Sequence, residues 1–312
     1  MISRADTHVH THYSGISNYK ALRFPESVTK PEEQVETARK NGMNLLCITD
    51  HDAIKGAFVA KEYAKKYDDF TVVIGEEITT ADGEVLAYGL NELIPPELSI
   101  EETMDRIRSQ DALAVAPHPY SFYLHCLKDR IKDLDLDGIE TINGGHVDRF
   151  TNTKAQLVFT KNPGRWAALS GSDAHSTYTA GYNWTEFEGC GEEDFRHAIL
   201  KKKTIPCGEP APVITQVQWS IKVVTSAQGM MAKALTGKLE ADPDNPLITK
   251  IISLPVVKKV AGIIGGSLYL IPPIPYVGAF AATRWLERMS QRLLNQVEYK
   301  LEASNCPKPP IR

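Results

Sequence analysis

Along the first two-thirds of the chain, short apolar runs alternate with amphipathic stretches. "NLLCITD" (44–50), "FTVVIGEEIT" (70–79), "GEVLAYGL" (83–90), "ALAVAPH" (112–118), "DGIETIN" (137–143) and "WAALSGSD" (166–173) read as strands. Segments 31–41, 55–66 and 150–161 carry helical spacing, and "SIEETMDRIRSQ" places Ser99 and Glu102 at capping-box separation at the start of another helix. Strand–helix alternation over this length predicts a largely parallel sheet. Polar residues gather where the runs end: Asp50 and His51, Glu76 and Glu77, His118, then Asp173 and His175. Parallel strands closed into a barrel bring such ends to one mouth, whereas an open sheet strings them along an edge. Their recurrence predicts a closed α/β barrel over residues 1–212.

From residue 213 the pattern changes. Lys222–Glu240 reads as helix, "ADPDNP" (241–246) as a polar break, and Val260–Thr283 contains no charged residue although Lys258, Lys259 and Arg284 bracket it. That length could cross a bilayer, but "IPPIP" (271–275) interrupts it, and proline breaks the helical hydrogen-bond ladder. Residues 213–312 are therefore expected to form a mostly helical extension, with an apolar helix–break–helix hairpin around 252–287. The hairpin either packs on the barrel or dips into a membrane interface.

Composition narrows this picture only slightly. A net charge of −4 over 312 residues gives no footprint for long nucleic acid. The five cysteines, Cys47, Cys126, Cys190, Cys207 and Cys306, form no CxxC pair, and residues 1–12 lack the basic start and apolar core of a signal peptide. Free thiols in a cytoplasmic protein are the expectation, with membrane association through 252–287 as the one qualification. Nothing in the sequence sets an oligomeric state.

Histidine changes the picture most. All nine lie at or before His197, and "ADTHVHTHYSG" (5–15) places Asp6, His8, His10 and His12 at alternate positions. In a strand such residues share a face about 6.6 Å apart, and neutral imidazoles at that spacing can grip a divalent ion. Asp173 and His175 repeat the i,i+2 arrangement, Asp50–His51 and Glu77 add carboxylates and an imidazole, and Pro117 and Pro119 fix the direction of His118. Together they predict a multinuclear metal site.

The segments "DTHVHTHYS", "ITDHD", "GEEIT", "APHP" and "GSDAH" resemble, in order and approximate spacing, the motifs of the PHP (polymerase and histidinol phosphatase) superfamily. The resemblance covers residues 1 to about 210. It implies a distorted seven-stranded (βα) barrel holding two or three divalent ions, usually zinc, manganese or iron. It implies a first ion on His8, His10, Glu77 and Asp173, with Glu77 bridging to a second ion on His118, and a third on His51 and His175. Members typically read glycine, an apolar residue, then the glutamate, which selects Glu77 and leaves Glu76 as a surface or supporting residue. Two positions depart from the pattern: Gly15 stands where many relatives carry aspartate, and the strand after Glu77 offers Leu86 or Tyr88 where many carry histidine. Asp6, His12, Asp50, Glu140 or His146 are the substitutes the sequence offers. Asn143 lies where relatives often have asparagine, as a supporting or substrate-contacting residue.

Such a cluster suits hydrolysis of phosphate esters, because ions activate water and neutralise phosphoryl oxygens. His125 and His146 are the candidates to protonate the leaving group, and Arg149 and Lys128 to contact phosphate. The leading expectation is a phosphoesterase acting on a small phosphorylated metabolite, a nucleotide or a short oligonucleotide. The alternatives are an amide or lactone hydrolase, and a non-catalytic, metal-stabilised module tethered to a membrane.

Overall fold

The computed structural model describes residues 1–19, 22–209 and 211–303. In chain order, β1 (Ile2–Val9) leads through a hairpin, β2 (Ile16–Tyr19) and β3 (Leu22–Pro25), to α1 (Pro31–Lys40), β4 (Leu45–Ile48) and α2 (Lys55–Ala64). Then come β5 (Thr71–Thr79), β6 (Glu84–Tyr88), α3 (Ile100–Ser109), β7 (Leu113–Ala116), β8 (Gly138–Asn143), α4 (Arg149–Lys161) and β9 (Ala167–Gly171). A second antiparallel pair, β10 (Asn183–Glu188) and β11 (Ile205–Gly208), flanks α5 (Gly191–Leu200). Ser99 Oγ accepts from the Glu102 amide at 3.2 Å and caps α3, as the spacing predicts.

The main sheet runs β11-β10-β1-β4-β5-β6-β7-β8-β9. Its last seven members curl until β9 meets β1: Val9 bridges Ala174, His10 N donates to Ala174 O at 3.0 Å, and Thr7 Oγ1 donates to Ser170 O at 3.1 Å. The result is a nearly closed α/β barrel of the distorted type expected. It is less parallel than strand–helix alternation implied, because β6 is antiparallel to both neighbours and no helix separates it from β5. The strands β10 and β11 are additions outside the barrel. Thr185 on β10 supports the seam, its Oγ1 accepting from Ser170 N at 2.8 Å.

Period two sorts the side chains into two apolar layers. Leu45, Cys47, Val73, Leu86, Val115 and Leu169 fill the barrel interior, closed off by Phe187 and Phe195. Leu46, Ile48, Val72, Ile74 and Ile139 face outward, among the residues packed with the helices. One irregularity decides an assignment. Ala5 pairs with Leu45 and Asp6 with Leu46, but Val9 pairs with Ile48, so β1 carries an extra residue between 6 and 9. The bulge puts Asp6 on the outer face and His8 on the inner one, which corrects the expectation that they share a face.

Where β9 closes on β1, only glycine fits at 171. A Cβ there would lie 2.5 Å from His8 Cβ and 2.9 Å from His8 N. Gly171→Ala is expected to cost about 1–3 kcal/mol by overpacking and, because the displaced residue is His8, to lower bound metal as well. Thermal melts paired with elemental analysis test this; unchanged values of both would contradict the packing account.

The helices α6 (Val213–Leu235), α7 (Pro246–Ser253), α8 (Val256–Tyr269) and α9 (Ile274–Ala303) make up the C-terminal part. Trp219 Nε1 on α6 donates to Glu26 O at 2.8 Å, and Ser290 Oγ on α9 accepts from Phe150 N at 2.9 Å, so the helices are tied to the barrel at both ends. Cys47, Cys126, Cys190 and Cys207 are free thiols; Cys306 lies outside the described residues.

Candidate metal centre

The end of β1, Glu77 on β5 and the turn after β9 place four ligand atoms together. His8 Nε2 lies 3.1 Å from Glu77 Oε2 and 3.6 Å from Asp173 Oδ1, and His10 Nε2 lies 3.3 and 3.2 Å from the same two oxygens. Ligands about 2.1 Å from a common ion are separated by about 3.0–3.4 Å in octahedral or tetrahedral coordination, so three of these four separations match the edges of a coordination shell and the fourth, His8 to Asp173, is slightly longer. Glu77 serves further imidazoles: His118 Nε2 is 3.2 Å from Oε1 and His51 Nδ1 is 3.4 Å from Oε2. His175 stacks on His10 with ring centroids 4.1 Å apart, and His10, His51 and His175 offer nitrogens within 4.8 Å of one another. The backbone is held in the left-handed region at His118 (φ 25°) and Asp173 (φ 50°), strain of the kind that persists where surroundings fix a side chain's aim.

Two carboxylates missing from the sequence reading complete this basin. Glu26 Oε2 is 3.1 Å from His51 Nε2 and 3.9 Å from His175 Nε2; Glu84 Oε2 is 3.8 Å from His118 Nε2. Glu26 faces the departure at Gly15 directly, since Glu26 N donates to Gly15 O across the base of the hairpin. Gly15 has φ +84° and permits that turn. Glu84 sits two positions before Leu86, on the same face of β6, where it reaches the mouth while Leu86 and Tyr88 stay in the apolar interior. The signal was parity: Leu86 and Glu84 alternate together.

The residues present fit divalent ions. His10 Nε2, Glu26 Oε2 and Glu84 Oε2 are buried without a hydrogen-bond partner, and mixed imidazole and carboxylate donors suit zinc, manganese or iron. The remaining candidates divide by position. Glu140 accepts from His8 Nδ1 (3.0 Å), His118 N (2.8 Å) and Asn143 Nδ2 (2.8 Å), and Asn143 Nδ2 also reaches Asp173 Oδ2 (3.2 Å). Both orient ligands from behind. Asp50 accepts from Ser14 Oγ at 2.8 Å, and that hydroxyl lies 2.9 Å from His10 Nδ1, so Asp50 positions His10 through Ser14.

Others fall outside the basin. Asp6, behind the bulge, accepts from Ser172 N and Oγ and from Gly181 N; burial pushes its carboxyl up to about 6 against those bonds. His12 packs edge-on against Tyr13. His125, Lys128 and Arg149 are exposed on the surface, away from the cavity lining. Glu76 is not at the surface: it is buried on the outer side of β5, accepts from Ile94 N at 3.0 Å, and is pushed up to about 8 by burial.

Charge balances tightly in the basin. Burial pushes Glu77 up, but His51, His8, the adjacent His10 imidazole and a bond from His118 outweigh it and hold the carboxyl well below its usual range. Burial opposes charge on His51, yet Glu26 and Glu77 raise it to about 10; His118 rises to about 9 against burial through Glu77. Burial and then His10 push His175 down to about 4, while burial and then Glu77 push Glu84 up to about 7. An ion must displace the protons on His118 and His51, so metal affinity is expected to rise with pH up to about 10, where His51, the last of the two, gives up its proton. Calorimetry in buffers of different ionisation heat would count the protons released. Affinity independent of pH across that range would contradict the charge balance.

A cavity of about 210 Å³ opens over the basin, lined by Phe24, Glu26, Tyr123, His146, Asp173 and His175, and on its far side by Thr215, Gln216 and Trp219 of α6. His146 Nδ1 lies 2.9 Å from Asp148 Oδ2 and 2.9 Å from Tyr123 OH, which leaves Nε2 buried and without a partner.

Among known proteins, the chain is 47% identical over 152 residues to the uncharacterized protein MJ1587 of Methanocaldococcus jannaschii, covering 49% of this chain and 88% of that one. It is 32% identical over 117 residues to MJ1588 of the same organism, covering 38% and 98%. Among solved structures it is similar to a protein described as a metal-dependent phosphoesterase from Bifidobacterium adolescentis (TM-score 0.45, 17% identity, 64% of this chain and 96% of that one). It is also similar to an amidohydrolase from Chromobacterium violaceum (TM-score 0.46, 15% identity, 65% and 97%). The PHP domain family model matches residues 6–204, a span that contains every side chain of the basin. The chain belongs to the PHP domain family.

Proposed function

We propose that this chain is a metal-dependent phosphoesterase that holds three divalent ions and acts on a small phosphorylated compound, a nucleotide or short oligonucleotide being the fitting class. One observation carries the reading: the two oxygens of Glu77 sit 3.1–3.4 Å from the imidazoles of His8, His10, His51 and His118. A single carboxylate shared by four nitrogen ligands is the arrangement of a bridging group between ions. His8, His10, Glu77 and Asp173 would hold the first ion, Glu77, His118 and Glu84 the second, and His51, His175 and Glu26 the third. Ions bound there would supply an activated water and offset charge on the phosphoryl oxygens and leaving group.

The protein's own groups do the rest. Among the described residues no Lys or Arg lines the cavity, so phosphate charge is left to the metal centre and the walls read the remainder of the substrate. Phe24, Tyr123 and Trp219 give those walls flat apolar faces, suited to a base or other ring beside a single phosphate. His146, oriented through Asp148, presents Nε2 to protonate the leaving oxygen. His146→Asn is expected to slow turnover about 10²- to 10⁴-fold with metal content unchanged. Loss of metal in this variant would reassign His146 as a ligand.

The test is a panel of phosphomonoesters, phosphodiesters, nucleotides, lactones and amides assayed with manganese. Phosphate esters are expected to turn over, to stop with chelator and to resume when metal returns. Turnover of lactones or amides alone would overturn the assignment.

A further inference from the structure

The barrel and the family account for nothing in α8 and the first half of α9, and these helices expose apolar surface. Ile264, Leu268, Ile271, Val277 and Phe280 are 51–60% exposed, on a stretch with no charged side chain from Val260 to Thr283. Contiguous apolar surface on this scale marks an interaction site. The helices are bent by 78° at the break between them, and no single described helix is long and apolar enough to cross a membrane. At 1.5 Å per residue, α8 spans only about 21 Å, short of the roughly 30 Å hydrocarbon core.

We propose that this hairpin is a wedge that seats in the interface of an anionic lipid bilayer. The fringe of the apolar stretch selects that partner. Lys258 and Arg284 bracket it and are exposed, with Arg288 one turn further along α9. Glu287 lies 3.5 Å from Arg284 and offsets one of these charges, leaving the fringe net positive, and Lys259 turns inward, its Nζ donating to Ile252 O at 3.0 Å. Tyr276 and Trp285, both about half exposed, stand towards the C-terminal end of the patch. An apolar face fringed by cations and amphipathic aromatics matches a headgroup region. The wedge is also firmly mounted. Gly262 and Gly266 let α8 lie against Met231 and Gln228 of α6, Gln228 Nε2 donates to Ile263 O at 2.7 Å, and Tyr269 OH donates to Ser220 Oγ at 2.9 Å. Because α6 also lines the cavity, one helix connects the wedge to the site.

Flotation of the full chain with vesicles tests this, using phosphatidylcholine alone and phosphatidylcholine mixed with phosphatidylglycerol. The protein is expected to float with the mixed vesicles and weakly with the neutral ones, and added salt should narrow the difference. Ile264→Glu with Phe280→Glu, at exposed positions, should lower the bound fraction at least about tenfold with circular dichroism and metal content unchanged. Arg284→Glu should reduce the preference for anionic vesicles. Failure to float with either vesicle, or flotation indifferent to the double substitution, would overturn the proposal. So would a wild-type dimer that the double substitution dissociates, which would make the face a contact between copies of this chain.

Discussion

Glu77→Gln is expected to empty the metal centre. Its carboxylate is 1% exposed and, among the described residues, is the only group within ion-pair reach of His8, His10, His51 and His118 together. Glutamine keeps the size and removes the charge. Breaking a buried charged partnership costs about 3–5 kcal/mol, or about 10²- to 10⁴-fold in affinity for whatever cation the carboxylate holds. If Glu77 bridges, more than one ion leaves, and hydrolysis should fall by at least about a thousandfold. The metal-free protein should lose stability too, since His51 and His118 owe part of their raised pKa to this carboxylate. Elemental analysis, single-turnover assays and thermal melts read the three effects; a variant retaining full metal would remove Glu77 from the centre.

Glu26→Gln and Glu84→Gln should each remove one ion and leave the others. Glu26 lies beside His51 and His175, and Glu84 beside His118, so the two changes act on separate parts of the basin. Each should weaken its own ion by at least about a hundredfold, and the double variant should retain the ion on His8, His10, Glu77 and Asp173. Competition with a chromogenic chelator separates the affinities. Unchanged stoichiometry in both variants would mean that these carboxylates only balance charge, and that the departures at Gly15 and Leu86 leave a smaller cluster.

The difference between Glu26 and His8 shows how much of this was legible in the sequence. His51, Glu77, His118, Asp173 and His175 could be picked out because each lies at the end of an apolar run, and His8 and His10 because they alternate near the start of the chain; the sheet's curvature brings these positions together. Closure of the barrel followed from the same recurrence. Asp6 failed the pattern because one bulge in β1 reverses its parity, a backbone event that no side-chain spacing records. Glu26 was hidden because it enters from the far side of a hairpin, eleven residues past Gly15 in sequence but joined to it by a backbone hydrogen bond. Glu84 was overlooked beside apolar Leu86, and β6 runs antiparallel because a short turn joins it to β5 without a crossover helix. Glu140 could be named as a substitute ligand but not placed behind the ligands: its support of His8, His118 and Asn143 needs three separate strands or turns to converge.

The number of ions tests the account most directly. Full-length protein loaded with manganese or zinc, freed of excess by gel filtration and measured by elemental mass spectrometry against amino-acid analysis, is expected to carry three equivalents per chain. Two or fewer under metal-replete conditions would contradict a basin in which Glu77 bridges and Glu26 and Glu84 complete the flanking sites.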